Sequence, residues 1–181
     1  MAYFGTLYNL LPELRDEEWQ LRLRKIGINF IIQGDVSKHG NYSSIDCIVA
    51  VRPADRNPNQ KPPNKLWNAW RAGVPVILGP EAGFREVRKG PDDYIEVATA
   101  EEVFTALLEL KSNPSKVSRM RENGLLRSAE CAPTAISSQW IRTLSGPIRE
   151  LYQAYQNRKV VERWIEDAPK HLRAIVRGIR R

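Results

Sequence analysis

The sequence contains few of the residues that build metal centres, disulfide frameworks or membrane spans. Its two cysteines, Cys47 and Cys131, and its two histidines, His39 and His171, lack the spacing of a metal site, and the isolated cysteines favour a packing role in a reducing compartment. No run of about 18 apolar residues is present, so hydropathy predicts no spanning helix. The N-terminal MAYFGTLYNLL also lacks the basic region of a signal peptide. We therefore expect a cytoplasmic protein with no metal site and no bound cofactor.

Hydrolase and acidic metal motifs are also missing. Ser43 and Ser44 lack the G-x-S-x-G context of a hydrolase nucleophile. The adjacent acids Asp92 and Asp93 follow a Gly-Pro pair, which is typical of a turn. The acids and hydroxyls of this chain therefore give no direct indication of its chemistry.

Positive charge is present but unevenly distributed. The chain has 28 Lys and Arg against 21 Asp and Glu, and residues 158–181 alone hold eight of these bases and three of the acids. The rest of the chain is therefore nearly neutral. Nucleic-acid-binding domains usually carry their basic patch on the folded body, so we do not expect nucleic acid as a partner.

Short apolar runs alternate with amphipathic segments along most of the chain. The predicted strands are AYF at 2–4, INFIIQG at 28–34, IDCIVAV at 45–51, VPVIL at 74–78 and residues 94–98. Of these, INFIIQG, IDCIVAV and VPVIL are predicted to be buried. Helices are predicted from Pro12 to Gly27, after Asn64, behind the capping box of Thr99 and Glu102, and from Pro114 onward with an interruption at Gly124. This alternation predicts an α/β fold: a Rossmann-like parallel sheet flanked by helices, over residues 1–145, with a helical C-terminal extension over residues 146–181.

The stretch KPPNKLWNAWRAGVPVILGPEAGFRE, residues 61–86, has the features of an anion-binding site. A Pro-rich turn leads into a short helix that Asn64 would cap, with Lys65 in its first turn, where free N–H groups and the helix dipole attract phosphate. Lys65 and Asn68 share one helix face, which offers a cation and an amide. The alternative interpretation is a solvated charged loop followed by an ordinary crossover helix.

Glycine-containing loops follow two of the predicted strands. Ligands of open parallel sheets bind beyond the carboxyl ends of the strands, which indicates the loop Gly79–Gly83 after VPVIL. Gly5 and Thr6 follow the first strand in the same way and form a second candidate loop. Glu81 lies within the loop Gly79–Gly83, where it is predicted either to hydrogen-bond a ligand hydroxyl or to begin a helix.

These motifs resemble the C-terminal, nucleotide-sugar-binding half of GT-B fold glycosyltransferases. In that family a loop, a helix ending in A-x-G-x-P, a V-I strand and a glycine-containing loop recur, as in KPPNKLWNAWRAGVPVILGPEAGFREV. YSSIDCIVAVRP resembles the preceding strand, TAEEVFTALLELKSNPSKVSRMRENG the next helix pair, and YFG the start of that half. The resemblance covers residues 1–131.

The resemblance implies a donor site for a nucleoside diphosphate sugar, the partner substrate of the reaction. Lys61 and Lys65 would contact the diphosphate and Asn68 the ribose. The sugar would lie against Gly79, Pro80, Glu81, Ala82 and Gly83, and the phosphates close to Gly5 and Thr6. Gln60 and Asn68 stand where many retaining members have two glutamates eight positions apart.

The family also has an acceptor-binding half, which the resembling residues do not include. The resemblance therefore implies a glycosyltransferase activity that requires such a domain or subunit, and no catalytic residue is identified here. A non-catalytic nucleotide-binding or interaction module is the alternative.

The basic tail PKHLRAIVRGIRR, residues 169–181, has an amphipathic helical pattern. One interpretation is a helix that lies peripherally on an anionic membrane surface. The other is a terminal helix that packs on a partner domain.

Overall fold

Five short apolar runs pair as parallel strands in the computed structural model, which describes residues 1–53 and 61–158. The strands are β1 (Ala2–Phe4), β2 (Ile31–Gln33), β3 (Ile48–Ala50), β4 (Val76–Leu78) and β5 (Ile95–Glu96). They form one sheet in the order β2-β1-β3-β4-β5. The predicted α/β class with a Rossmann-like parallel sheet is confirmed.

Helices connect and follow the strands. They are α1 (Glu17–Lys25), α2 (Asn64–Ala72), α3 (Ala82–Val87), α4 (Ala100–Ser112), α5 (Pro114–Arg127), α6 (Pro133–Thr143) and α7 (Arg149–Gln156). The capping box that begins α4 is present, because the Thr99 hydroxyl accepts from the Glu102 N–H while the Glu102 carboxylate accepts from the Thr99 N–H. Gly73 ends α2 in the left-handed conformation at φ 64°.

The strand order creates a reversal point between β1 and β3. The chain passes from β1 through α1 to β2 on one side and then returns to place β3 on the other side of β1. The segments that leave β1 and β3 meet where the Leu11 N–H donates to the Val51 carbonyl at 2.8 Å. In open parallel sheets the crevice at such a reversal is where ligands bind.

The segment INFIIQG differs from its prediction as a buried strand. Only Ile31–Gln33 are in strand conformation, and Ile31 is exposed. The physical reason is the position of β2 at the edge of the sheet, where it pairs with β1 alone. An apolar run in the sequence does not reveal how many neighbours a strand will have.

Two predicted helices differ in detail. Residues Pro12–Arg15 form a separate 3-10 turn, and α1 begins only after Asp16, whose extended backbone occupies the N-cap. Gly124 does not interrupt α5, which runs without a break to Arg127. A Cβ at Gly124 would lie 2.9 Å from Trp70 Cδ1 and 3.3 Å from Trp70 Cα. This glycine therefore permits close packing of α5 on α2.

A buried carboxylate, Asp93, holds the turn before β5 against α5. It accepts from the backbone N–H groups of Lys89 and Gly90 at 2.6 and 2.8 Å, from Asn123 at 2.9 Å and from Arg127 at 2.6 Å. Burial alone would raise its pKa, but these hydrogen bonds and the Arg127 charge lower the pKa of Asp93. Asp93 therefore has a structural role in the predicted turn.

The two cysteines are buried and free. Burial raises the pKa of the Cys47 thiol to about 12 and also raises the pKa of Cys131. Within residues 1–53 and 61–158, no cluster of three or more His, Cys, Asp or Glu is arranged to hold a metal ion.

The chain divides into two units, Met1–Cys131 and Ala132–Arg181. The boundary predicted from the sequence was after residue 145. In the second unit, α6 and α7 are joined by a π-helical turn, Leu144–Ile148, which contains Pro147. No helix in the described part of the chain is long and apolar enough to cross a bilayer. The predicted basic tail helix, His171 and Gln60 lie outside the described residues.

We predict that Asp93→Ala lowers the free energy of unfolding by about 3 kcal/mol, because it leaves the buried Arg127 without a principal partner. The neighbouring variant Asp92→Ala removes a half-exposed pair with Arg119 at 3.5 Å and should cost less than about 1 kcal/mol. Urea unfolding measures both.

The pH dependence of the same unfolding separates the two acids further. Because the folded state lowers the pKa of Asp93, its stabilisation is complete above about pH 5 and is lost as the pH falls through its ordinary and then its lowered pKa. Asp93→Ala should therefore flatten the acid limb of the stability curve. Equal effects of the two substitutions would contradict the structural role of Asp93.

We also predict that Gly124→Ala destabilises the protein by about 1 kcal/mol, even though alanine is the better helix former by a similar amount. The clash decides the sign, because the Trp70 ring is held by its Nε1 bond to the Asp93 carbonyl at 3.0 Å and by the stacked Arg127 guanidinium. The control is Gly146→Ala, where a Cβ meets nothing within 4 Å and stability should be unchanged or higher. A lower thermal midpoint for the control than for Gly124→Ala would contradict this packing account.

Candidate functional site

The carboxyl-terminal edge of the sheet brings together the loop after β1 and the basic stretch, which are far apart in the sequence. Gly5 follows β1, and Lys65 lies in the first turn of α2, yet a Cβ built on Gly5 would lie only 3.4 Å from Lys65 Nζ. Lys65 Nζ also lies 5.6 Å from the centre of the Tyr3 ring. The first-strand loop and the basic stretch therefore form one site.

Gly5 provides bare backbone beside the lysine. Its φ of 152° is one that L side chains rarely adopt, and a Cβ there would lie 2.7 Å from the Tyr3 hydroxyl oxygen. The Tyr3 hydroxyl is engaged from the other side, since it donates to the Thr6 carbonyl at 2.9 Å. Burial, as the largest cause, raises the pKa of Tyr3 to about 12, so the phenol stays protonated.

Gly83 packs closely against the Pro-rich turn, and the sugar contact that the resemblance implies for it stays a prediction. A Cβ on Gly83 would collide with the Lys61 carbonyl oxygen, and it would lie 3.6 Å from Pro63 N. The start of α3 is therefore packed directly against the Pro-rich turn. The helix α2 itself begins at Asn64, so Pro63 occupies the N-cap position predicted for Asn64, and no side chain caps this end.

Lys61 and Lys65 supply positive charge that protein carboxylates do not neutralise by direct contact. In the described residues neither ammonium group forms an ion pair. Burial of Lys65 lowers its pKa, and Arg52 and Lys61 lower it further, while Glu81 opposes the shift. An anion bound here would relieve the repulsion between these cations.

Arg52, which sequence analysis did not identify, is the centre of the site. It follows β3 at the reversal point, and its guanidinium donates to Glu81 Oε1 at 2.9 Å and to Asn9 Oδ1 at 2.9 Å. It therefore joins the loops that leave β1, β3 and β4. A basic residue directly after a buried strand, in VAVRP, was the available signal.

Glu81 faces Arg52 and the interior of the protein. The residue is 4% exposed and occupies the N-cap position of α3. Burial raises its pKa, and Arg52 and the two lysines oppose that rise. Gly79 packs under the end of β3, with its N–H donating to the Ala50 carbonyl at 3.0 Å, while Pro80 and Ala82 are the exposed members of the loop.

Asn68 lies in a different depression. It is exposed and lines a cavity of about 450 Å³ with Gly40, Tyr42, Arg71 and Ala72. The lining of this cavity does not include Lys65. Asn68 lies beside the loop that follows β2, and the ribose contact that the resemblance implies for it stays a prediction.

A second cavity, of about 410 Å³, lies at the opposite, amino-terminal edge of the sheet. Its lining includes Met1, Gly27, Cys47 and Leu110. The one lysine in the lining, Lys111, donates to the Ile26 carbonyl. The carboxyl edge is the better candidate site, because the reversal of strand order lies there together with two lysines that form no ion pair within residues 1–53 and 61–158.

Comparison with known proteins gives little sequence support for a family. No family model matches the chain, and no curated protein matches it by sequence. Among solved structures, the chain is similar to the crystal structure of Anabaena Alr3699/HepE in complex with UDP, with a TM-score of 0.46, 15% identity and coverage of 80% of this chain. The match covers 40% of that other chain, so this chain spans less than half of its length. A likeness at this level does not assign the chain to a family.

Proposed function

We propose that the chain binds a nucleoside diphosphate sugar at the carboxyl edge of its sheet and serves as the donor-binding part of a glycosyltransferase. The observation that carries the proposal is Lys65, which lies beside the bare backbone of Gly5 and close enough to Lys61 for that charge to lower its pKa. Among the described residues neither lysine forms an ion pair with a carboxylate. A diphosphate needs positive charge and unhindered backbone at close range. This edge offers both.

The two lysines have a direct chemical role in this proposal. Breaking the bond between the sugar and the diphosphate increases the negative charge on the leaving group. Cations fixed beside that group stabilise the charge as it develops, without reorganisation at the moment of reaction. The sugar passes to an acceptor hydroxyl, and the group that removes the hydroxyl proton belongs, in this proposal, to an acceptor-binding domain or subunit.

Exposed apolar side chains on the second unit support the need for such a partner. Trp140, Ile141, Leu144, Leu151 and Tyr152 are each more than half exposed on the segment that comprises α6, the π-helical turn and α7. Clusters of large exposed apolar side chains mark interaction surfaces. An acceptor-binding half would have such a surface to pack against.

A non-catalytic nucleotide-binding module is the second candidate, and the state of Glu81 favours it. Glu81 is the acid whose charge acts on Lys65, and its carboxylate is buried and bonded to Arg52. It is therefore poorly placed to accept a proton from an acceptor. A donor-hydrolysis assay tests for turnover by the chain itself. Hydrolysis of the donor excludes the module, whereas binding without turnover fits both the module and a donor-binding part that lacks its acceptor-binding domain.

Calorimetric titration with UDP, GDP and ADP sugars tests the site. We predict binding of at least one of them, and a loss of roughly ten- to a hundredfold in affinity for Lys65→Ala, since a charge-assisted hydrogen bond contributes about 1.5–3 kcal/mol. Lys25→Ala removes the same charge at the far end of α1 and should leave the affinity unchanged. Absence of binding, or equal losses in both variants, would defeat the assignment.

The pH dependence of donor affinity gives an independent prediction. Because the pKa of Lys65 lies below its ordinary value, the affinity should begin to fall at a lower pH than for an ordinary lysine, as the ammonium loses its proton. Lys65→Arg keeps its charge throughout this range and should remove that fall. Parallel pH profiles for the two proteins with the same ligand would show that Lys65 does not titrate in the site.

A further inference from the structure

Three hydrogen bonds connect Thr6, after β1, to Glu81, after β4. Arg52 Nε donates to Glu81 Oε1 at 2.9 Å, Arg52 Nη1 donates to Asn9 Oδ1 at 2.9 Å, and Asn9 Nδ2 donates to Thr6 Oγ1 at 2.8 Å. This series of hydrogen bonds crosses the reversal point between β1 and β3, and the residues at its two ends, Thr6 and Glu81, are candidate ligand contacts. Arg52 and Asn9 hold the loops of the site together, and the proposed function assigns neither of them a contact with the ligand.

The donors and acceptors that each side chain offers fix the direction of these hydrogen bonds. A guanidinium has donors only, so the Asn9 side chain must turn its oxygen toward Arg52. Its NH₂ group then faces Thr6, and the Thr6 hydroxyl must accept that bond. A threonine hydroxyl has one proton, which this contact leaves uncommitted.

The backbone of Thr6 is also fixed. Its carbonyl accepts from the buried Tyr3 hydroxyl at 2.9 Å, and its side chain is exposed on the same edge as Lys65. Thr6 is therefore held at two points, its carbonyl and its hydroxyl oxygen, and the hydroxyl proton is available to the solvent side.

We propose that Arg52 and Asn9 are positioning residues that orient the Thr6 hydroxyl as a hydrogen-bond donor to a phosphate oxygen of the bound ligand. This inference rests on the proposed function and adds a recognition rule to it. Phosphate oxygens only accept, so a hydroxyl whose proton is directed outward suits them, and the nearby lysines supply the charge. The buried Arg52–Glu81 pair serves to anchor the relay.

Two substitutions test the direction of the relay. Thr6→Val keeps the shape of the side chain and removes the donor, so it should weaken binding of a nucleoside diphosphate sugar about tenfold, whereas Thr6→Ser should bind as the wild type does. Asn9→Asp keeps the acceptor for Arg52 but turns a second acceptor toward Thr6, which redirects the hydroxyl proton away from the ligand.

The double variant Thr6→Val with Asn9→Asp separates this redirection from the added negative charge. If the relay acts as proposed, the double variant binds no more weakly than Asn9→Asp alone, because the donor is already lost. Additive losses, or wild-type affinity of Thr6→Val, overturn the relay. The proposed function still stands in that case if binding depends on Lys65. No binding by the wild type overturns both.

Discussion

The hydrogen-bonded pair of Arg52 and Glu81 is the interaction on which the candidate site depends. Glu81 is buried and Arg52 is partly buried at the edge where β1, β3 and β4 end, and the pair holds the loops after those strands in one arrangement. Breaking such a pair leaves a buried charge without compensation, which typically costs about 3–5 kcal/mol. The acid thus neutralises Arg52 within the protein, and the charge of Lys61 and Lys65 remains for a ligand.

Close backbone approaches complete this arrangement. Gly5 brings the loop after β1 to the Tyr3 hydroxyl and Lys65, and Gly83 brings α3 to the Lys61 carbonyl. A methyl group at either position would push apart elements that carry the charges. The glycines of the site therefore determine how close its cations lie to the neighbouring loops. The cations determine what kind of ligand the site attracts.

The sequence predicted the strands, the capping box of Thr99 and Glu102 and the importance of Gly5 and Lys65 as separate features. The residue patterns alone did not predict that Gly5 and Lys65 meet, because that depends on β3 pairing beside β1, a non-local choice that apolar patterns do not record. Only the resemblance to GT-B glycosyltransferases implied it, since it placed both residues beside the phosphates. Arg52 was missed for a related reason, since its partner Glu81 is 29 positions away. The edge position of β2 was equally invisible in an apolar run.

The most direct test of the central claim is amide NMR of the ¹⁵N-labelled chain titrated with the nucleotide sugar that binds most tightly. The account predicts shifts of the Gly5, Gly79 and Gly83 amides at the carboxyl edge, with Gly27 at the opposite edge unchanged. Shifts confined to Gly27 and its neighbours around the amino-edge cavity would contradict it.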